Sequence, residues 1–204
     1  MRGAISQEVR LLAAIAYGEA STANDPLEIG GIAFATANRC RAWGGKSVIE
    51  LRAVDPNYSF AWNGSNARFN KLMNSPDSEI GLDRGMEFGA EWARKAIANE
   101  GLDPSNGAFW WDGLDFKTNY AHHKKARAGF KWGDPSHNIF GVPEHRVEVI
   151  VRWKIRNKKT GRILDGAERG RYDSVWVSTA AHGNTVFWRH SPDYLQATGA
   201  KAYR

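Results

Sequence analysis

Apolar positions recur at helical spacing through the first third of the chain. Val9, Leu12, Ala13, Ile15 and Ala16 fall on one side of a helix that Ser6 can cap. A second helix is announced by Asp25-Pro26-Leu27-Glu28, which places a cap, a proline at N1 and an acid at N3. Leu27, Ile29, Ile32, Ala33, Ala35 and Thr36 continue it, and Gly30 and Gly31 leave room for a close neighbour. Ser47-Val48-Ile49-Glu50 has the spacing of a capping box. Residues 83–100 predict an amphipathic helix with Met86, Ala90, Ala93 and Ile97 in one stripe, Asp83 as its cap and Gly101 just past its end.

Elsewhere the period is two. Tyr58, Phe60 and Trp62 alternate, so a strand there would show three rings on one face, as a groove floor or as a buried edge. Ala108-Phe109-Trp110-Trp111 reads as a short aromatic strand. From Val147 the character is β throughout. Val147, Val149, Val151 and Trp153 alternate, Lys158-Lys159-Thr160-Gly161 supplies a turn, and residues 174–178 and 185–188 offer two more strands. The expectation is an α+β fold, with a first domain over 1–142 and a β-rich appended subdomain over 143–204.

Composition narrows the class. A chain of 204 residues, 42% hydrophobic and 25% charged, has room for a sizeable core. Nine tryptophans exceed what such a core needs, and surplus rings line either a groove or a Trp-rich interior. The net charge of +6 and pI near 9.5 suggest an anionic partner. No helix-turn-helix, zinc-finger or RNA-binding signature points to nucleic acid. No apolar run is long enough for a membrane span, and Gln7, Glu8 and Arg10 interrupt the N-terminal apolar stretch, so no signal peptide is expected. Cys40, the one cysteine, reads as a buried structural thiol. His122 and His123 are adjacent and diverge, and no metal-binding spacing such as HExxH occurs, so neither metal nor cofactor is expected.

Glu19 ends the first helix beside this core. From the residues alone it is either a solvated acid or a carboxyl whose pKa desolvation raises into the range of a general acid. Asp112 and Asp115 are either loop acids or carboxylate partners for it.

The segment Ala14-Ile15-Ala16-Tyr17-Gly18-Glu19-Ala20, followed by a turn, a small-residue helix and Asn38-Arg39, resembles the catalytic domain of the SleB/CwlJ cell-wall hydrolase family, the spore cortex-lytic enzymes and their relatives. Pro104-Ser105-Asn106-Gly107-Ala108-Phe109-Trp110-Trp111 is similar to that family's later aromatic segment, and Ser136-His137-Asn138-Ile139-Phe140 to its closing one. Two positions depart: Ala23 stands where the family carries a second acid, and Ser136 replaces a glycine.

The resemblance implies a lysozyme-like or lytic-transglycosylase-like helical core. Its implied reaction is cleavage of the peptidoglycan glycan strand between N-acetylmuramic acid and N-acetylglucosamine. Glu19 would be the catalytic residue, and Tyr58, Ser59, Phe60, Trp62, Trp110 and His137 would bind substrate. The departure at Ala23 favours a single-acid mechanism. The expected protein is a monomer made without a signal peptide, acting on the wall after lysis or machine-dependent export. A peptidoglycan amidase and a non-enzymatic wall-binding or phage structural module are the alternatives.

Overall fold

Seven consecutive residues of the first helix, Leu11 to Tyr17, are buried, and the molecule is assembled around them. The structure is a computed structural model and describes residues 4–55, 61 and 64–204. Helix α1 (Gln7–Glu19) is capped by Ser6, whose side chain accepts from the Val9 amide. A helix apolar on every side belongs in the middle of a core. Around it pack α2 (Pro26–Ala42), α3 (Val48–Val54), α4 (Ala67–Asn74) and α6 (Arg84–Ala98), with the short α5 (Asp77–Ile80) leading into α6.

Most helix starts obey the local rules. Asp25 accepts from the Leu27 and Glu28 amides, Ser47 and Glu50 close a capping box, and Asp83 accepts from Met86. Two details differ from expectation. Ile97 is exposed and Ala96 takes its place in the buried stripe of α6. That helix also turns left-handed at Asn99 (φ 56°), before Gly101. Asparagine tolerates this conformation better than other side chains with a Cβ.

The remaining chain builds a sheet against α2. Strands β1 (Trp110–Asp112), β2 (Phe130–Lys131), β5 (Trp176–His182) and β6 (Thr185–His190) lie in the order β1-β6-β5-β2, with only the β2–β5 pair parallel. Between β1 and β2 run α7 (Asp115–Thr118) and α8 (Lys124–Ala128). Phe187 of β6 lies directly on Gly31 of α2, where an added Cβ would sit 2.3 Å from the ring. Gly31→Ala should therefore destabilise the fold by about 1–3 kcal/mol, measured by denaturant unfolding. Glu28, the acid in the first turn of α2, turns its carboxylate away from its own helix. It is fully buried and accepts from the Thr185 hydroxyl at 2.8 Å and the Asn184 amide at 3.2 Å, which ties α2 to the β5–β6 turn.

The expected boundary at 142/143 is not a seam in the packing. Strands β5 and β6, from the segment read as an appendage, complete the sheet that β1 and β2 begin, and Phe187 belongs to the same core as α1 and α2. Only the hairpin of β3 (Val149–Arg156) and β4 (Ile163–Tyr172) forms a separate sheet. Its base rests on α9 (Pro192–Thr198), where Gly170 meets Ala197 and the Tyr172 and Tyr194 rings lie 5.1 Å apart. The architecture is α+β. No helix among the described residues is long and apolar enough to cross a membrane.

Candidate active site

Glu19 stands at the C-terminal end of α1, half-buried, because the α1–α4 packing sets Asn66 beside it. Asn66 uses both ends of its amide. Its Oδ1 caps α4 through the Arg68 and Phe69 amides, and its Nδ2 donates to the Gly18 carbonyl at 2.8 Å and to Glu19 Oε1 at 3.4 Å. The Trp111 indole also hydrogen-bonds the carboxyl. Desolvation outweighs both donors and, with the field of Asp115 adding to it, pushes Glu19 up to about 7.

Glu19 faces a cleft of about 720 Å³ whose other walls include Trp110, Trp111, Asp112, Gly113 and Asp115, then Asn119, the run His122 to Lys125, and Trp176. That size suits a small-molecule or saccharide subsite. The Trp110 ring is held from several sides. Trp176 lies 4.9 Å away, His190 4.7 Å away, and the Arg39 guanidinium 4.7 Å from its centroid. Burial keeps His190 neutral by pushing it down to about 4, so it packs as a ring behind the tryptophans. Arg39 is itself completely buried and paired with the completely buried Asp55. Beside it, Asn38 Nδ2 donates to Asp103 at 2.8 Å and to the Ala108 carbonyl at 3.1 Å. Asn38-Arg39 thus joins α2 to the segment that carries the cleft tryptophans.

The cleft that Glu19 lines also holds a charged cluster. His123 Nε2 sits 3.4 Å from Asp112 and 3.8 Å from Asp115, and Lys125 Nζ sits 2.8 Å from Asp112. The Lys125 amide donates to His123 Nδ1, so the ring proton belongs on Nε2, facing the two acids. Asp112, Asp115 and His123 bring ligand atoms within 4.8 Å of one another, the one such trio among the described residues. Lys125 already supplies positive charge to Asp112. Nothing in the linear spacing exposes this trio, because β1, α7 and the turn before α8 bring it together in space.

The expected site residues separate. Glu19 and Trp110 share the cleft. Tyr58, Ser59, Phe60 and Trp62 lie outside the described residues. His137 lines a second cleft, of about 730 Å³, with Lys131, Trp132 and Arg189, whose lining shares no residue with the first. There its Nδ1 lies 2.9 Å from the hydroxyl of buried Ser178, and desolvation lowers its pKa. The Cys40 thiol is buried and pushed up to about 12, which leaves it a packing residue.

Compared with family models, curated proteins and solved structures, the chain matches none.

Proposed function

We propose that this protein cleaves the glycan strand of bacterial peptidoglycan between N-acetylmuramic acid and N-acetylglucosamine, with Glu19 as the single acid and base. The observation that carries the reading is a carboxyl raised to about 7 at the wall of a tryptophan-lined cleft. A group with that pKa holds its proton at neutral pH and can surrender it to a leaving oxygen. In this reading the helical assembly of α1, α2 and α6 is a lysozyme-like core, and the bacterial wall is the site of action.

Chemistry and geometry combine simply. Sugar faces stack on Trp110, Trp111 and Trp176, which sets the glycosidic oxygen near Glu19. The Glu19 proton passes to that oxygen, the bond to the anomeric carbon breaks, and an oxocarbenium-like centre forms. The Glu19 carboxylate then takes the proton of the muramic C6 hydroxyl, whose oxygen attacks the anomeric carbon and closes a 1,6-anhydro ring. Glu19 ends protonated, so the cycle is balanced with no water consumed.

A hydrolytic variant is the second reading, and one observation favours it. Asp115 is the acid whose field reaches Glu19, and its side chain is 68% exposed, whereas the Asp112 side chain is only 10% exposed and is bound by Lys125. Asp115 is therefore the carboxylate to place across the bond if water is the nucleophile.

The test is incubation of purified sacculi with the protein. Soluble glycan fragments are the expected result. Release of free stem peptides would instead indicate an amidase and put Asp112, Asp115 and His123 at its centre. Sacculus binding with no release would leave a binding module. The pH profile follows from the acid form being needed first. Cleavage measured as kcat/KM should fall about tenfold per pH unit above about pH 7, as Glu19 ionises.

A further inference from the structure

The whole net charge of the chain resides in one hairpin. Residues 149–172 carry eight Lys or Arg against two Asp or Glu, a net of +6, while the other 180 residues carry 20 of each and sum to zero. The two acids sit on one face, where Asp165 pairs with Lys154 and Glu168 with Arg171. The tip has none. Lys158, Lys159 and Arg162 form no ion pair among the described residues.

The hairpin is also amphipathic. Register puts Val149 opposite Tyr172, Val151 opposite Gly170 and Ile155 opposite Leu164, and strand alternation adds Trp153 to that face. Helix α9 covers only its base, through Gly170 and Tyr172. Towards the tip, Trp153 and Ile155 are each 54% exposed, Leu164 51% and neighbouring Ile163 68%. A two-stranded ribbon is marginal in water, and clustered exposed apolar side chains on it mark a contact surface.

We propose that this hairpin is an arm that docks the protein on an anionic lipid surface. The face of Trp153, Ile155 and Leu164 lies in the headgroup layer, and Lys158, Lys159 and Arg162 meet lipid phosphates. A ring and aliphatic side chains flanked by long cations suit that layer, because the alkyl stems stay apolar while the charges reach outward. Each cation near an anionic leaflet strengthens binding several-fold. A nucleic acid would engage the same cations and leave Ile155 and Leu164 in water, and its phosphates would meet Asp165 and Glu168 along the other face. The proposal does not depend on Glu19 or on its cleft.

Sedimentation of the full chain with phosphatidylcholine vesicles, with and without phosphatidylglycerol, at physiological ionic strength tests it. Binding is expected only with phosphatidylglycerol. Lys158→Gln with Lys159→Gln and Arg162→Gln should weaken it on the order of a hundredfold. Trp153→Ser with Ile155→Ser and Leu164→Ser should weaken it at least about tenfold. Both variants should melt with the wild type, since their substitutions lie beyond the α9 contact. Brominated acyl chains give a check that needs no substitution, because they should quench tryptophan fluorescence of the bound wild type. The proposal is overturned if the wild type ignores phosphatidylglycerol vesicles, or if the apolar variant binds as well as the wild type. Tight binding of duplex DNA that only the charge variant loses would likewise overturn it and assign the arm to nucleic acid.

Discussion

Glu19→Gln should lose glycan cleavage by about 10²- to 10⁴-fold while making the folded protein more stable at pH 8. The two effects have one origin. Burial raises the carboxyl from its ordinary value to about 7, so its charged form is disfavoured in the folded state. A group whose pKa is higher folded than unfolded favours the native state fully below the unfolded value, and that contribution is lost as pH rises through the folded value. The window runs from about pH 4.5 to about pH 7. Above it the wild type carries a desolvated carboxylate that the neutral glutamine lacks, a difference of about 2–3 kcal/mol. Near pH 4 the two proteins should unfold at nearly the same denaturant concentration. Equal stability at pH 8 would show that Glu19 is a solvated acid and remove the physical basis for its role.

The second large effect lies beneath the cleft rather than in it. Arg39→Met should destabilise the protein by about 3–5 kcal/mol, since Asp55 would remain completely buried without its guanidinium. Adding Asp55→Leu should restore most of that stability, because replacing both partners of a buried ion pair with apolar groups is often neutral. Urea unfolding of the two variants measures both terms. The double variant should still cleave more slowly than the wild type, since the Arg39 contact with the Trp110 ring is gone. A loss below about 1 kcal/mol for Arg39→Met would mean that the pair is not what fastens α2 to the end of α3.

The helical half was legible because its signals are local. Ser6, Asp25, Ser47 and Asp83 all cap where the residue pattern places them, and Leu12, Ile15, Ile29 and Ile32 all enter the core. Local signals fail where partners are distant in sequence. Val186, Phe187 and Trp188 read correctly as a strand, yet nothing in them says that the strand pairs with Trp110–Asp112 and closes onto Gly31. That long-range pairing makes the segment after residue 142 part of the main fold. Glu28 looked like a helix-capping acid and instead holds a turn more than 150 residues away. Strand β4 is not legible in the sequence because Asp165, Gly166, Glu168 and Gly170 break its alternation, and the structure accommodates them with register shifts.

The tryptophans illustrate the same limit for the site. Composition offered a groove or a Trp-rich core, and the fold uses both. Trp188 is completely buried between Phe116 and Phe130, Trp110, Trp111 and Trp176 line the cleft, and Trp153 stands on the arm. Glu19 was recognisable from its place at a helix end beside apolar residues. The cluster of His123, Lys125, Asp112 and Asp115 was not, since a run of basic residues carries no sign of which acids it will meet.

The most direct test of the account is mass spectrometry of the soluble products released from purified peptidoglycan by the wild type and by Glu19→Gln. Muropeptides ending in 1,6-anhydromuramic acid, lighter by one water than their hydrolysed counterparts, are expected from the wild type alone. Intact glycan strands after wild-type treatment, or the same anhydro products from Glu19→Gln, would contradict it.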